Sequence, residues 1–226
     1  MTAFAFKCSL SDAVMFEMLF PKEASFVVKA YEEFTLQSAT SIAERFGRDT
    51  GHISRVSSVA LEIYDKMKKL HGYKLRERTL LQVSAILQDI GKYVNVRNHA
   101  LLSYNTITNL DIVGINDHER LIIATVCYYH NGNIPSMDSP IYNQLSQEDR
   151  VMVSKLAAIL QISNAINTSH SPKFEQVSVN MKNGKLNIYL TTLKNINLEK
   201  WAFIAKTKLF REVYGLNATI IKRGVL

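Results

Sequence analysis

The 226-residue sequence contains two cysteines, four prolines and one tryptophan. Cys8 and Cys127 are too few and too far apart for a disulfide scaffold or a cysteine zinc site, and they read as small hydrophobes. So little proline, with nine glycines scattered at helix ends and turns, excludes a collagen-like or low-complexity chain. No apolar run approaches the ~18–20 residues of a membrane span, and the opening Met1-Thr-Ala-Phe-Ala-Phe-Lys7 lacks the basic and apolar regions of a secretion signal. The expected location is cytoplasmic, with no membrane partner. Missing too are an internal repeat and a glycine-rich phosphate loop paired with a catalytic acid.

What is present is ordinary globular material: 47% hydrophobic and 21% charged residues allow one substantial core within the size at which single cores stop growing. The charge is unevenly placed. Residues 1–170 hold 17 Lys+Arg against 17 Asp+Glu, whereas 171–226 hold 10 against 3, so the formal +7 comes from the last quarter. A basic lobe on a neutral body suits an anionic partner such as a phosphate polymer, a nucleotide or a nucleic acid. Solubility is the plainer explanation.

Periodicity predicts helices over 23–47, 52–71, 80–90, 98–110, 117–129 and 146–167. In the second of these, His52, Val56, Val59, Ile63, Met67 and Leu70 share one stripe while Arg55, Glu62, Lys66 and Lys69 face away. The segment Leu80–Ile90 is apolar almost all round and reads as a helix buried within a bundle. After Ser171-Pro172 the period changes to two. Val177, Val179 and Met181, a turn at Asn183-Gly184, and Leu186, Ile188 and Leu190 predict a hairpin. A helix over 198–214 and a strand over 217–222 follow. The expected fold is therefore mainly α: a helical bundle followed by a small β-β-α-β domain. The expected divisions are 1–20, a strand end and short helix acting as an adapter to a further domain; 21–171, the helical domain; and 172–226, the small α/β domain.

Chemistry centres on His52, Gln88-Asp89, His99, His130 and Asn164. A lone histidine or aspartate on an apolar face is commonly a hydrogen-bonded core residue. An ionised Asp89 in a buried helix costs several kcal/mol unless it is paired. Its partner is then His52, a nearby Arg or Lys, helix N–H groups or a metal. His118 reads as a surface residue, and Tyr128 and Tyr129 as packing residues.

Several ordered segments carry a resemblance. Ser41-Ile-Ala-Glu-Arg-Phe-Gly, Asp49-Thr-Gly-His52, Ala85-Ile-Leu-Gln-Asp-Ile-Gly91, Asn116-Asp-His-Glu119, Tyr129-His130, Lys155-Leu-Ala-Ala-Ile-Leu-Gln-Ile-Ser-Asn-Ala-Ile-Asn167 and Leu209-Phe-Arg-Glu-Val-Tyr-Gly215 resemble the C-terminal region of the exopolyphosphatase/guanosine pentaphosphate phosphohydrolase family. The resemblance implies an HD-type helical domain and then a small α/β domain, normally preceded by two actin-like domains that hydrolyse phosphates. Only the last two match this sequence, which is therefore expected to be a C-terminal part of such an enzyme or a stand-alone relative. The HD-type metal positions match His52, Gln88, Asp89 and Asn164. A carboxamide at two of the four offers weaker, neutral donors and returns no charge compensation. The expectation is a degenerate site with no catalytic residue, no metal and no cofactor. Where the resemblance is followed to a metal nonetheless, His52, Asp89, His99 and His130 are the candidate ligands, although Leu102 stands where a further histidine is expected.

The functional expectation is a regulatory, polyphosphate-binding and dimerisation module, with actin-like domains as partners in cis or in trans. Arg45, Arg48, Arg55, Lys92 and Arg97 are the anion-binding candidates beside the HD-type positions. The C-terminal lysines, Lys206 and Lys208 among them, are the competing set that composition favours. Two alternatives stand beside this: a metal-dependent HD phosphohydrolase acting on a nucleotide, and a nucleic-acid-binding module.

Overall fold

The computed structural model describes residues 21–169, 173–182 and 184–224, with side chains from residue 29 onward. The adapter expected over 1–20, Cys8 included, lies outside the described residues. Helix α1 (Pro21–Arg45) stops at Gly47, whose φ of 64° is the left-handed turn that a Cβ disfavours. Helix α2 (Thr50–Lys66) starts where the Asp49 carboxylate accepts from Gly51 N–H, and buries His52, Ile53, Val56, Val59, Ala60, Ile63 and Tyr64.

The single helix predicted over 52–71 is broken at Met67, and a short α3 (Lys68–His71) follows it. The cause lies in His71, which turns back on the preceding helix. Its Nε2–H donates to Tyr64 O at 2.9 Å, and its Nδ1 accepts from Tyr73 N–H at 3.0 Å. Both ring nitrogens are committed, so this pattern needs the neutral imidazole. Burial lowers the His71 pKa below the ordinary 6.5. A depressed histidine leaves the unfolded chain the better proton acceptor, so its contribution to stability is intact above about pH 6.5 and fades as the pH falls below that. Urea midpoints measured from pH 7.5 to 5 should fall, and His71→Gln should remove part of that fall. A pH dependence identical in the variant would contradict this.

Helix α4 (Leu75–Leu87) begins earlier than its pattern and ends sooner. Gln88 closes it, and a 3₁₀ turn, Ile90–Tyr93, follows. Asp89 therefore sits at a junction, not within a helix. Helices α5 (His99–Ile107), α6 (Asp117–Tyr129), α7 (Pro140–Asn143) and α8 (Gln147–Ile166) complete the bundle. A reciprocal cap fixes the start of α6: Asn116 Oδ1 accepts from Glu119 N–H while Glu119 accepts from Asn116 N–H. Helix α8 is buried along almost its whole length, including Val153, Leu156–Ser163, Ala165 and Ile166, because it packs against α2, α4, α6 and the C-terminal helix.

That helix, α9 (Asn197–Tyr214), lies between β2 (Lys185–Thr191) and β3 (Asn217–Arg223). With β1 (Gln176–Lys182) the strands form one sheet of order β1-β2-β3, the first pair antiparallel and the second parallel. Lys182 pairs with Lys185 across the expected turn, at which Gly184 has a φ of 66°. Leu186, Ile188 and Leu190 alternate inward on β2. They join the same buried cluster as Phe203 and Phe210 of α9 and Leu156 and Leu160 of α8. Tyr214 also donates its hydroxyl to Lys155 O at 3.1 Å. The bundle and the β-β-α-β unit match the mainly α fold read from the sequence.

Candidate functional site

Asp89 is 3% exposed, and its position follows from how closely its turn approaches α5. Gly91 N–H donates to Ser103 Oγ at 2.9 Å, and that hydroxyl donates to Gln88 O at 2.8 Å. One side chain thus satisfies the carbonyl of the residue before Asp89 and the amide two residues after it. A Cβ on Gly91 would overlap the His99 carbonyl oxygen and stand 2.5 Å from Ser103 N. The turn therefore rests directly on the backbone that carries His99.

The two oxygens of Asp89 face different chemistry. Oδ2 receives Lys92 Nζ at 2.7 Å and lies 3.6 Å from an Arg48 nitrogen. Oδ1 lies 3.2 Å from His130 Nε2 and 3.6 Å from His99 Nε2. The two imidazole Nε2 atoms are 3.3 Å apart. His99 Nδ1 bonds Val96 O at 2.8 Å and His130 Nδ1 bonds Cys127 O at 2.5 Å. Carbonyls only accept, so both Nδ1 atoms carry hydrogens, and the two Nε2 atoms face Oδ1 and each other. Burial raises the cost of ionising Asp89, but the hydrogen bond and charge of His130 and the charge of Lys92 prevail and hold its carboxyl well below the usual carboxylate range. Burial lowers the His99 pKa, and the neighbouring His130 lowers it further. Burial also pushes the Cys127 thiol up, with the Asp89 charge adding to the effect.

The loop after His130 is pinned by Gln161, whose Nε2 donates to Tyr129 O at 2.7 Å and Asn133 O at 2.8 Å. Against this loop lies Lys206 of α9, its aliphatic stem 3.9–4.0 Å from where a Gly132 Cβ would stand. Burial lowers the Lys206 pKa; the Asp89 charge partly offsets this and the Lys92 charge reinforces it. Lys206 thus brings a third cation within electrostatic reach of Asp89.

The predicted residues divide between this centre and its surroundings. Arg48, Lys92, Asp89, His99 and His130 converge. His52 is 2% exposed on the inner face of α2, outside the tight Asp89–His99–His130 group. Gln88 is 1% exposed, and its Oε1 has no hydrogen-bond partner among the described residues. Asn164 is half-buried on α8. Arg55 lies 3.8 Å from Asp49, whereas Arg45 and Arg97 are exposed. The sequence reading placed Lys206 in a separate C-terminal set and overlooked Ser103 and Gln161. Only chain packing brings them here.

These features define a helical domain with a buried, cation-rich polar centre and an appended small sheet. The family model for Ppx/GppA phosphatase, domain III, matches residues 36–209. The chain belongs to the Ppx/GppA phosphatase family. Among the described residues no helix is long and apolar enough to cross a membrane.

Proposed function

We propose that this chain is a regulatory, phosphate-polymer-binding module of the exopolyphosphatase type that does not hydrolyse phosphate esters at its own HD-type positions. The observation that carries this reading is the charge at the centre: Arg48 and Lys92 meet a single carboxylate, Asp89, and Lys206 lies within its electrostatic reach. The surplus is positive, as a polyanion requires. Gln88 and Asn164 support the non-catalytic part, since neither supplies an anionic ligand for a hydrolytic metal pair. On this reading the module works in the cytoplasm as a homodimer, beside actin-like domains supplied in cis or in trans.

On this reading Lys206, alone of the C-terminal lysines, joins Arg48 and Lys92 in the anion path, since the charges of Asp89 and Lys92 reach it. Polyphosphate affinity measured across a salt series should fall steeply, since each neutralised phosphate releases condensed counterions. Lys206→Glu should weaken binding and lower the salt slope by roughly one contact. Lys208→Glu, on the exposed side of α9, should have the smaller effect. Binding that is absent at low salt, or unchanged in both variants and in Arg48→Glu with Arg55→Glu, would leave the basic balance as a solubility feature.

A further inference from the structure

We infer that the outer face of the β1-β2-β3 sheet is a binding surface for single-stranded nucleic acid, with Tyr189 and Arg223 as its stacking platform. Leu186, Ile188 and Leu190 take the inner side of β2, so the alternate residues Asn187 and Tyr189 stand on the other. The register carries that face across all three strands: Ser178, Tyr189 and Ile221 align, and so do Asn180, Asn187 and Thr219. Two contacts confirm the shared face. The Arg223 guanidinium lies over the Tyr189 ring, 3.7 Å from its centroid, and Thr219 Oγ1 donates to Asn187 Oδ1 at 2.9 Å. Asn180, Thr219, Ile221 and Arg223 are exposed, which leaves this side of the sheet open to a ligand.

The chemistry of the face selects the ligand. Every charged side chain on it, Lys182, Lys185 and Arg223, is basic, while Glu175 belongs to the opposite side, where it lines a small cavity with Val177 and Phe174. Charge alone would suit any polyanion. A phosphate polymer, however, has no flat surface to lay on an aromatic ring or a guanidinium plane, whereas every base has one. The guanidinium held over Tyr189 extends that platform outward and keeps its charge. The Asn180 and Asn187 amides, one step along the sheet, can both donate and accept, as base edges require. Strands of seven residues extend roughly 23 Å, and open sheets stack about two or three bases on such a surface. A duplex keeps its bases stacked on one another and fits less well. This face is turned away from α9, whose Lys206 reaches the Asp89 centre, so the two sites are separate.

The test follows fluorescence anisotropy of labelled oligonucleotides of one mixed sequence, about 12 nucleotides long, with the whole chain. The RNA and DNA strands should bind at low salt at least about fivefold more tightly than the matching duplex or an abasic strand of equal charge. The tighter of the two names the sugar, through the 2′-hydroxyl. Tyr189→Val, which keeps a strand-forming residue, should weaken single-strand binding at least about fivefold at an unchanged salt slope, and Tyr189→Phe should retain it. Lys182→Gln with Lys185→Gln should instead lower the salt slope by roughly 1.4, about 0.7 for each phosphate contact. Polyphosphate affinity should be the same in the parent and in Tyr189→Val, which keeps the result independent of the anion path at Asp89. No binding at low salt, equal affinity for the abasic strand, or full affinity in a Tyr189→Val protein whose circular dichroism matches the parent would overturn the inference. The abasic comparison uses the parent protein and so decides the matter even where the variant misfolds.

Discussion

Replacing Asp89 with alanine should cost about 3–5 kcal/mol of stability in the metal-free protein, a value characteristic of breaking a buried ion pair from one side. The loss of one carboxylate is the smaller part of this. Lys92 and Arg48, with side chains only 20% and 17% exposed, would be left without the charge that justifies their positions, and Lys206 would add its repulsion. Asp89→Asn should be milder in packing yet lose the same charge. The effect has a pH signature. Because the folded-state carboxyl is held below its ordinary value, its contribution is present above an unfolded pKa of about 3.9 and is lost as the pH falls below that. Urea unfolding of Asp89→Ala should therefore show its full loss at pH 7 and a difference from the parent that begins to shrink only below about pH 4, by roughly 1.4 kcal/mol per pH unit. A cost under about 1 kcal/mol at pH 7 would mean that solvent screens the cluster as it screens surface pairs.

Gly91→Ala should be the most damaging of the glycine substitutions, at about 3 kcal/mol or more, the upper range for overpacking. The obstacle is space: the added carbon meets backbone atoms of His99 and Ser103, which cannot swing aside, as well as Leu102 Cβ at 2.9 Å. Relief requires α5 to move away from the 3₁₀ turn, which would disturb the Ser103 hydroxyl and carry His99 away from Asp89. Gly47→Ala makes a useful control. There φ is +64° but nothing lies within 4 Å of the added carbon, so only left-handed backbone strain of about 1–2 kcal/mol is expected. Equal denaturation midpoints for the two variants would contradict the close approach.

The parts of this molecule legible in the sequence are those whose cause is local. Asn116 and Glu119 mark the start of α6 within three residues, and the switch to period two after residue 172 announces the sheet. The buried character of Leu80–Leu87 showed that Asp89 would need partners. Periodicity could not show which ones. His99 and His130 are 10 and 41 residues further along the chain, and Lys206 arrives from a helix that faces the centre only because α9 packs along α8. The end of α4 was also hidden, because what stops it is the close backbone approach of Gly91 to α5, a contact with no signature in helical spacing. Lys206 is a case of the same kind: composition counted it with the other C-terminal lysines, although its stem packs on the loop after His130.

The packing of α8 against α9 has a consequence for the order in which the chain becomes a protein. During synthesis the bundle helices through α8 emerge first, but the apolar side of α8 that receives Phe203, Leu209 and Phe210 has nothing to cover it until residues 197–214 follow. A growing chain halted near residue 170 would hold most of its helices and still present an adhesive face to its neighbours. The last quarter therefore acts as a late clasp, and the polar centre gains its third cation only when that clasp has closed.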